Sequence, residues 1–401
     1  MLKIENLQYS LENLNDSVRK WKASSYGKYL LRYPTVYIIN DKKRGSDFEV
    51  YVGETADIRN RTRQHLNVDR KMKTFWEDFS ESNSSSMYVI GHELFNKSLT
   101  LDIENRLMQY LLSVDNISRV HNSRTNQQNE YFTSDKLDEI FSDIWKSLNK
   151  KNKSLFPIES IIKDSAIFKA SPFHKLTQEQ INAKEEILDK IKEAVILDEK
   201  GQLIIVEGEA GSGKTVLMST LLYEIGKYNL DLDKNLDIHL LVNHNEHVSI
   251  YNQIVTKLGL STKSNNIVSK PTSFINNHSS NEKVDVVIVD EAHLLLTQGK
   301  QSYQGENHLN DLLERAKVVV IVFDLKQVLT TEQIWELDKL NYHFDSAKNK
   351  NNHIILRNQM RINSDETTIE WIRNLVDNQK YKIFLMIKKD MKLRFLTIQM
   401  S

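Results

Sequence analysis

Eight consecutive residues carry the densest chemistry in this sequence: Gly208, Glu209, Ala210, Gly211, Ser212, Gly213, Lys214 and Thr215. Three glycines let backbone N–H groups turn inward around an anion, and the helix expected to follow adds the positive end of its dipole. Lys214 is placed to reach the β- and γ-phosphates of a nucleotide, and the Thr215 hydroxyl to ligate Mg²⁺. A second acidic feature lies downstream. The β-branched run Val286 to Val289 ends in Asp290 and Glu291, two adjacent carboxylates that are costly at the end of a buried strand without a cation. Asp290 suits a water-mediated hold on Mg²⁺, and Glu291 suits polarising an attacking water. The pair of motifs points to a nucleoside triphosphate with Mg²⁺.

Weaker polar positions fall in register with these. Gln180 in KLTQEQ carries an amide whose two-sided edge matches adenine. A third apolar run, VVVIVFDLKQ, ends at Asp324 and Gln327, and LRNQMR offers Arg361; both Gln327 and Arg361 are candidates to contact the γ-phosphate. The N-terminal third holds a different set: Tyr37, Tyr51, Gly53, Arg61, His65, Glu104 and Asn122. Arg61 and His65 are four apart and share a helix face. The set combines a metal-ligating carboxylate, a cation, phenols and an imidazole, the parts needed to cut a phosphodiester with one divalent metal. Arg59, Arg61, Arg63, Arg70, Lys71 and Lys73 crowd the same stretch near Trp76, a patch suited to sequence-blind phosphate contacts, or else a solvated charged face.

The elements that must position these residues divide the chain into five regions. Residues 1–32 read as an N-terminal helical extension and 33–146 as a small α/β unit. Within it, Val36 to Asn40 and Glu49 to Val52 form a hairpin, Thr55 caps a helix to about Leu66, and an amphipathic helix carries Glu104. Residues 147–170, rich in Lys, Asn and Ser, read as a linker. From 171 to 373 strand–helix repetition around the phosphate loop implies a parallel sheet. The tail, 374–401, reads equally as an ordinary last element or as a truncated or frame-shifted end. The fold class expected is therefore α/β in both units, with a short, mostly antiparallel sheet first and a parallel sheet second.

Bulk composition narrows the function classes. Lys+Arg and Asp+Glu are each 54, so no global field draws in nucleic acid and any such binding must be local. With no cysteine, disulfides, Cys-ligated zinc and thiol catalysis are excluded. No apolar run approaches the ~20 residues of a membrane span, so a cytoplasmic location is expected.

Two resemblances follow from these motifs. The order Gln180, Lys214, Asp290, Gln327, Arg361 resembles superfamily 1 helicases, and LLVNHNEHVSIYNQI with LRNQMR looks most like the Schlafen group 3 helicase domain, over 171–373. That likeness implies a RecA-like domain binding ATP. Only 40 residues follow Arg361, so a second RecA-like domain, with its arginine finger, is expected to be absent. Residues 33–125 resemble the GIY-YIG nucleases, with Val36-Tyr37-Ile38 and Tyr51-Val52-Gly53 in place of the two name motifs. The likeness implies that Tyr37 activates or positions the attacking water, Glu104 holds one Mg²⁺ or Mn²⁺, and Arg61 stabilises the charge on phosphorus. Tyr51 and His65 would orient or shuttle a proton, and Asn122 matches the family's late asparagine. The combined reading is an endonuclease coupled to an ATP-binding helicase-type domain acting on DNA or RNA, in phage defence or repair. The alternatives are a nucleic-acid-binding protein that does not cut, or an NTPase switch for protein partners.

Overall fold

The computed structural model describes residues 1–357 apart from 44, 46, 123–129, 199, 233–235, 262–265, 298–302, 304 and 325–336, together with 367, 368, 371, 374 and 375. Its first sheet holds β1 (Leu2–Gln8), β2 (Thr35–Lys42), β3 (Phe48–Thr55), β4 (Ser86–His92) and β5 (Ile117–Val120), in the order β1-β4-β2-β3-β5. All pairs are antiparallel except β3 with β5. Around it lie α1 (Leu11–Lys22), α2 (Gly27–Leu31), α3 (Ile58–Asn67), α4 (Thr74–Glu81), α5 (Lys97–Leu112) and α6 (Leu137–Lys151), followed by α7 (Glu159–Asp164) and α8 (Ala166–Lys169).

Period-two alternation sorts β2 and β3 between two apolar clusters. Val36, Ile38, Val50 and Val52 face the cluster that includes Leu107, Leu111 and Trp145 of α5 and α6. Tyr37, Ile39 and Tyr51 face the opposite cluster with Leu14, Ile58, Trp76 and Phe79. The sheet is thus covered on both sides, and both tyrosines point toward α3 and α4.

Three local expectations change. Leu2–Gln8, read as helical, is a strand that zips along β4 in full register from Leu2 opposite His92 to Gln8 opposite Ser86. Pairing to the otherwise open edge of β4 outweighs the local pattern. The helix after the hairpin is capped by Asp57 rather than Thr55: Asp57 accepts from the Arg59 and Asn60 N–H groups, while the Thr55 hydroxyl serves the Asp57 N–H. Residues 147–170 are not a free linker, since Leu155, Phe156, Ile162 and Ile167 are buried in the larger core.

The second sheet holds β6 (Gln202–Gly208), β7 (Ile238–Leu241), β8 (Val268–Ser269), β9 (Val284–Val289), β10 (Ala316–Phe323) and β11 (His353–Leu356). Its order is β11-β6-β10-β9-β7-β8, with every pair parallel. Helices α9 (Gln178–Ile196), α10 (Lys214–Leu232), α11 (Asn245–Leu258), α12 (Pro271–Asn277), α13 (His308–Arg315) and α14 (Leu337–Asn349) supply the crossovers and flanks. The near-continuous burial of β9 and β10 matches their β-branched runs, as expected for parallel strands covered on both faces. Among the described residues no helix is long and apolar enough to cross a membrane.

The two units share one apolar core and are tied by polar bonds at their seam. The buried Lys257 of α11 donates to the Leu112 and Val114 carbonyls at 3.1 and 2.8 Å, groups that the end of α5 leaves unpaired. Arg119 on β5 donates to the Thr256 carbonyl at 3.3 Å. Burial pulls the Lys257 pKa down to about 8, against partial support from Asp115 and Asp47. Between pH 8 and the free-lysine value the unfolded chain holds more protons than the folded one, so stability rises with pH across that window. Urea unfolding at pH 7.5 and 9.5 should show wild type gaining about 2 kcal/mol relative to Lys257→Met as pH rises.

Candidate functional site

Two cavities gather the residues with chemistry, one in each unit. The cavity of the parallel-sheet unit has a volume of about 690 Å³ and is lined by Gly211, Gly213, Lys214, Thr215, Asp290 and Glu291, among others. β6 delivers the loop, and α10 starts at Lys214. Gly211 and Gly213 take φ of 92° and 78°, left-handed conformations that a side chain would strain. The Lys214 ammonium donates to the Gly208 and Glu209 carbonyls at 2.6 and 2.8 Å and pairs with Asp324 at 3.2 Å. Asp324 ends β10, the strand lying between β6 and β9, which explains why it meets the lysine.

Asp290 and Glu291 follow β9 directly. Asp290 is buried, accepts from the Tyr251 hydroxyl at 3.1 Å and accepts the Glu291 N–H at 3.0 Å. Burial, then the Glu291 charge, raises the Asp290 pKa, a cost that a divalent cation would offset. Glu291 sits at φ 55° with its carboxylate 3.5 Å from His247. The residue types suit a divalent cation, to which Thr215 would supply a hydroxyl and Asp290 a carboxylate. Sequence reasoning did not single out Tyr251 or His247. Both stand on α11, four apart, on the face turned to the β9 end.

Gln180 makes a hydrogen bond at each end of its amide within the protein. Its Oε1 accepts the Thr177 N–H at 2.9 Å in a capping box, and its Nε2 donates to the Ser212 carbonyl at 2.9 Å. Both ends of the amide therefore brace the start of α9 against the phosphate loop. Gln180→Ala should weaken ATP and GTP alike by about 10-fold, the loss of one buried hydrogen bond plus a cap. Titration with fluorescent analogues of both nucleotides decides the point, since an adenine reader would lose affinity for ATP alone. Gln327 and Arg361 lie outside the described residues.

The second cavity, about 290 Å³, is lined by Tyr51, Gly53, Arg61, Asp69, Glu104 and Asn122, with Glu54, Lys73 and Trp76 also on its wall. α3 buries Ile58, Thr62 and His65 along one stripe, which sets Arg61 at the cavity edge and His65 beneath it. Tyr37 and His65 form a layer behind that wall. The Tyr37 hydroxyl meets His65 Nε2 at 2.7 Å, and His65 Nδ1 meets Asp69 at 2.7 Å. Trp76 stacks on the imidazole with centroids 3.7 Å apart. The Arg61 guanidinium lies beside the hydroxyls of both Tyr37 and Tyr51. Burial and the Arg61 charge push His65 down to about 4, so the ring is neutral at pH 7. Gly53 is required here: a Cβ would stand 2.5 Å from the Tyr37 hydroxyl.

Glu104 reaches the cavity from α5, where it is buried, and accepts from Asn122 Nδ2 at 2.6 Å. The same amide donates to the Val52 carbonyl at 2.6 Å, so Asn122 pins the carboxylate to β3. Among the described residues no group of three or more His, Asp or Glu gathers to hold a metal. A cation here would have Glu104 as its protein ligand and complete its shell with water and phosphate oxygens, a pattern that suits Mg²⁺ or Mn²⁺. Of the basic patch, Arg63, Arg70, Lys71 and Lys73 are exposed and Arg59 is half-buried. Lys73 borders the cavity, and Arg70 stands 3.7 Å from Glu81.

Residues 201–398 match the family model of the Schlafen group 3 DNA/RNA helicase domain. The second unit is a helicase-like P-loop domain. The match starts later than the 171 read from the motifs and runs past 373 into the tail. An uncharacterized protein of Saccharomyces cerevisiae is 33% identical over 185 residues, 42% of this chain and 40% of its own. Among solved structures, the Pif1 helicase from Candida albicans is similar with a TM-score of 0.28 and 17% identity, covering 50% of this chain and 44% of that one. Pif1 helicases described as unwinding forked double-stranded DNA are similar with a TM-score of 0.25 and 16% identity, covering 50% and 48%. The chain spans less than half the length of each of these three.

Proposed function

We propose that this chain is a metal-dependent endonuclease of the GIY-YIG type joined to an ATP-binding helicase-type domain, acting on DNA or RNA. One observation carries the nuclease half. Tyr51, Arg61, Glu104 and Asn122, drawn from β3, α3, α5 and the segment after β5, converge on a single cavity with Tyr37 and His65 directly behind them. A chance set of polar residues on four elements has no reason to share one wall.

The proposed roles follow this arrangement. Tyr51 stands at the cavity and meets the substrate side, while Tyr37, one layer deeper, holds Arg61 and the other ring in place. Arg61, on the cavity wall, would stabilise the charge that builds on phosphorus, and its half-buried setting would strengthen that attraction. Asn122 holds Glu104 on the cavity wall. A cation on Glu104 would neutralise phosphate charge and lower the pKa of a bound water. Lys73 and the exposed basic residues of the same stretch give a backbone-tracking surface.

Helix α11 supports coupling of the halves. Tyr251 and His247 touch Asp290 and Glu291 at the nucleotide cavity, and Lys257 holds the end of α5, the helix that carries Glu104. On α10, directly after the phosphate loop, the Tyr223 hydroxyl stands 3.4 Å from the Asn122 carbonyl. The test is nicking of supercoiled DNA and of RNA with Mn²⁺ or Mg²⁺, with and without ATP, by wild type beside Glu104→Gln. Salt-sensitive binding without any cutting would leave a nucleic-acid-binding protein in place of a nuclease.

A further inference from the structure

Asp69 belongs to none of the motifs read from the sequence, yet it ends the buried chain that orders the second cavity. Its Oδ2 lies 2.7 Å from His65 Nδ1 and 3.8 Å from Arg61 Nη1; its Oδ1 is 3.4 Å from Gln64 Nε2. An ionised carboxylate only accepts, so Nδ1 carries the proton and Nε2 presents a lone pair. The Tyr37 hydroxyl must then be the donor across the 2.7 Å contact. With its one proton committed inward, the Tyr37 oxygen turns its remaining lone pair toward the Arg61 guanidinium beside it. The direction of every bond in this layer follows from the charge at its far end.

We propose that Asp69 is a positioning residue for the phosphodiester reaction, fixing the His65 tautomer and, through Tyr37, holding Arg61 toward the cavity. This rests on the endonuclease reading above. Among the described residues the ring's other neighbours are Tyr37 and Arg61, Tyr51 at 5.3 Å between ring centroids, and Trp76 stacked on its face, none of them a carboxylate. If the tautomer reversed, an Nε2–H would take one of the Tyr37 lone pairs and the hydroxyl proton would turn to Tyr51 or the guanidinium, weakening the hold on Arg61.

Asp69→Asn tests this. An amide carries no charge to hold the imidazole N–H and Arg61 together at one oxygen, and turning its NH₂ to the ring favours the reversed tautomer. Nicking turnover should fall about 10- to 100-fold, as for other outer-shell partners, with the KM for DNA and the Mn²⁺ requirement unchanged. Proton-detected ¹⁵N spectra of the His65 ring read the tautomer without reference to catalysis. They should show Nδ1–H in wild type and a shift toward Nε2–H in the variant. Finding Nε2–H in wild type, or full turnover in a folded Asp69→Asn, overturns the proposal while the nuclease reading stands. A wild-type protein that cuts nothing, with Nδ1–H still observed, removes the nuclease reading and the catalytic part of the proposal with it.

Discussion

Lys214→Ala should lower ATP affinity by about 100-fold or more and bring ATP hydrolysis to background. The ammonium makes three close contacts that shape the loop: two to loop carbonyls and one to Asp324. Charge-assisted bonds of this kind are each worth about 1.5–3 kcal/mol, and a triphosphate offers several at once. The same substitution removes the Lys214 ammonium from beside Asp324, so circular dichroism and the urea midpoint must accompany the binding curve. Lys214→Met, which keeps most of the stem, should retain the fold and still fail to bind. Calorimetric titration with Mg·ATP is the readout, and tight binding by either variant would contradict the phosphate-loop reading.

Glu104→Gln should reduce nicking by about 1,000-fold. The substitution is nearly isosteric, and the new amide oxygen can keep the bond from Asn122 Nδ2, so the packing of α5 against the first sheet is preserved. What is lost is the charge that holds the cation. Adding Mn²⁺ in excess should not restore cutting, whereas a metal site built from several carboxylates would recover in part; the described residues offer no such group. Gel assays of plasmid nicking across a metal titration check this. Undiminished cutting by Glu104→Gln would move the chemistry away from this cavity.

The sequence alone determined much of this protein. The spacing from Gly208 to Thr215 and the β-branched run before Asp290 have local physical causes, a phosphate cradle and a strand buried on both faces, and the structure follows them. The hairpin with Tyr37 and Tyr51, the Arg61–His65 stripe and the helix carrying Glu104 were readable for the same reason: period-two and period-3.6 patterns are written in neighbouring residues.

Tertiary structure decided the rest. β1 exists because β4 offers an edge, and residues 147–170 pack because the two units share a core, neither of which a window of sequence contains. Gln180 was read as facing a base; that its amide also braces the Ser212 carbonyl, 32 positions away, only the tertiary structure shows. Asp69 stands four residues after His65, a spacing the sequence displays; only burial of the imidazole, together with Tyr37 arriving from β2, turns that spacing into a directed hydrogen-bond chain. Local propensity fixes elements one at a time, whereas long-range pairing fixes which polar groups face each other in low dielectric, where the direction of each bond carries the chemistry.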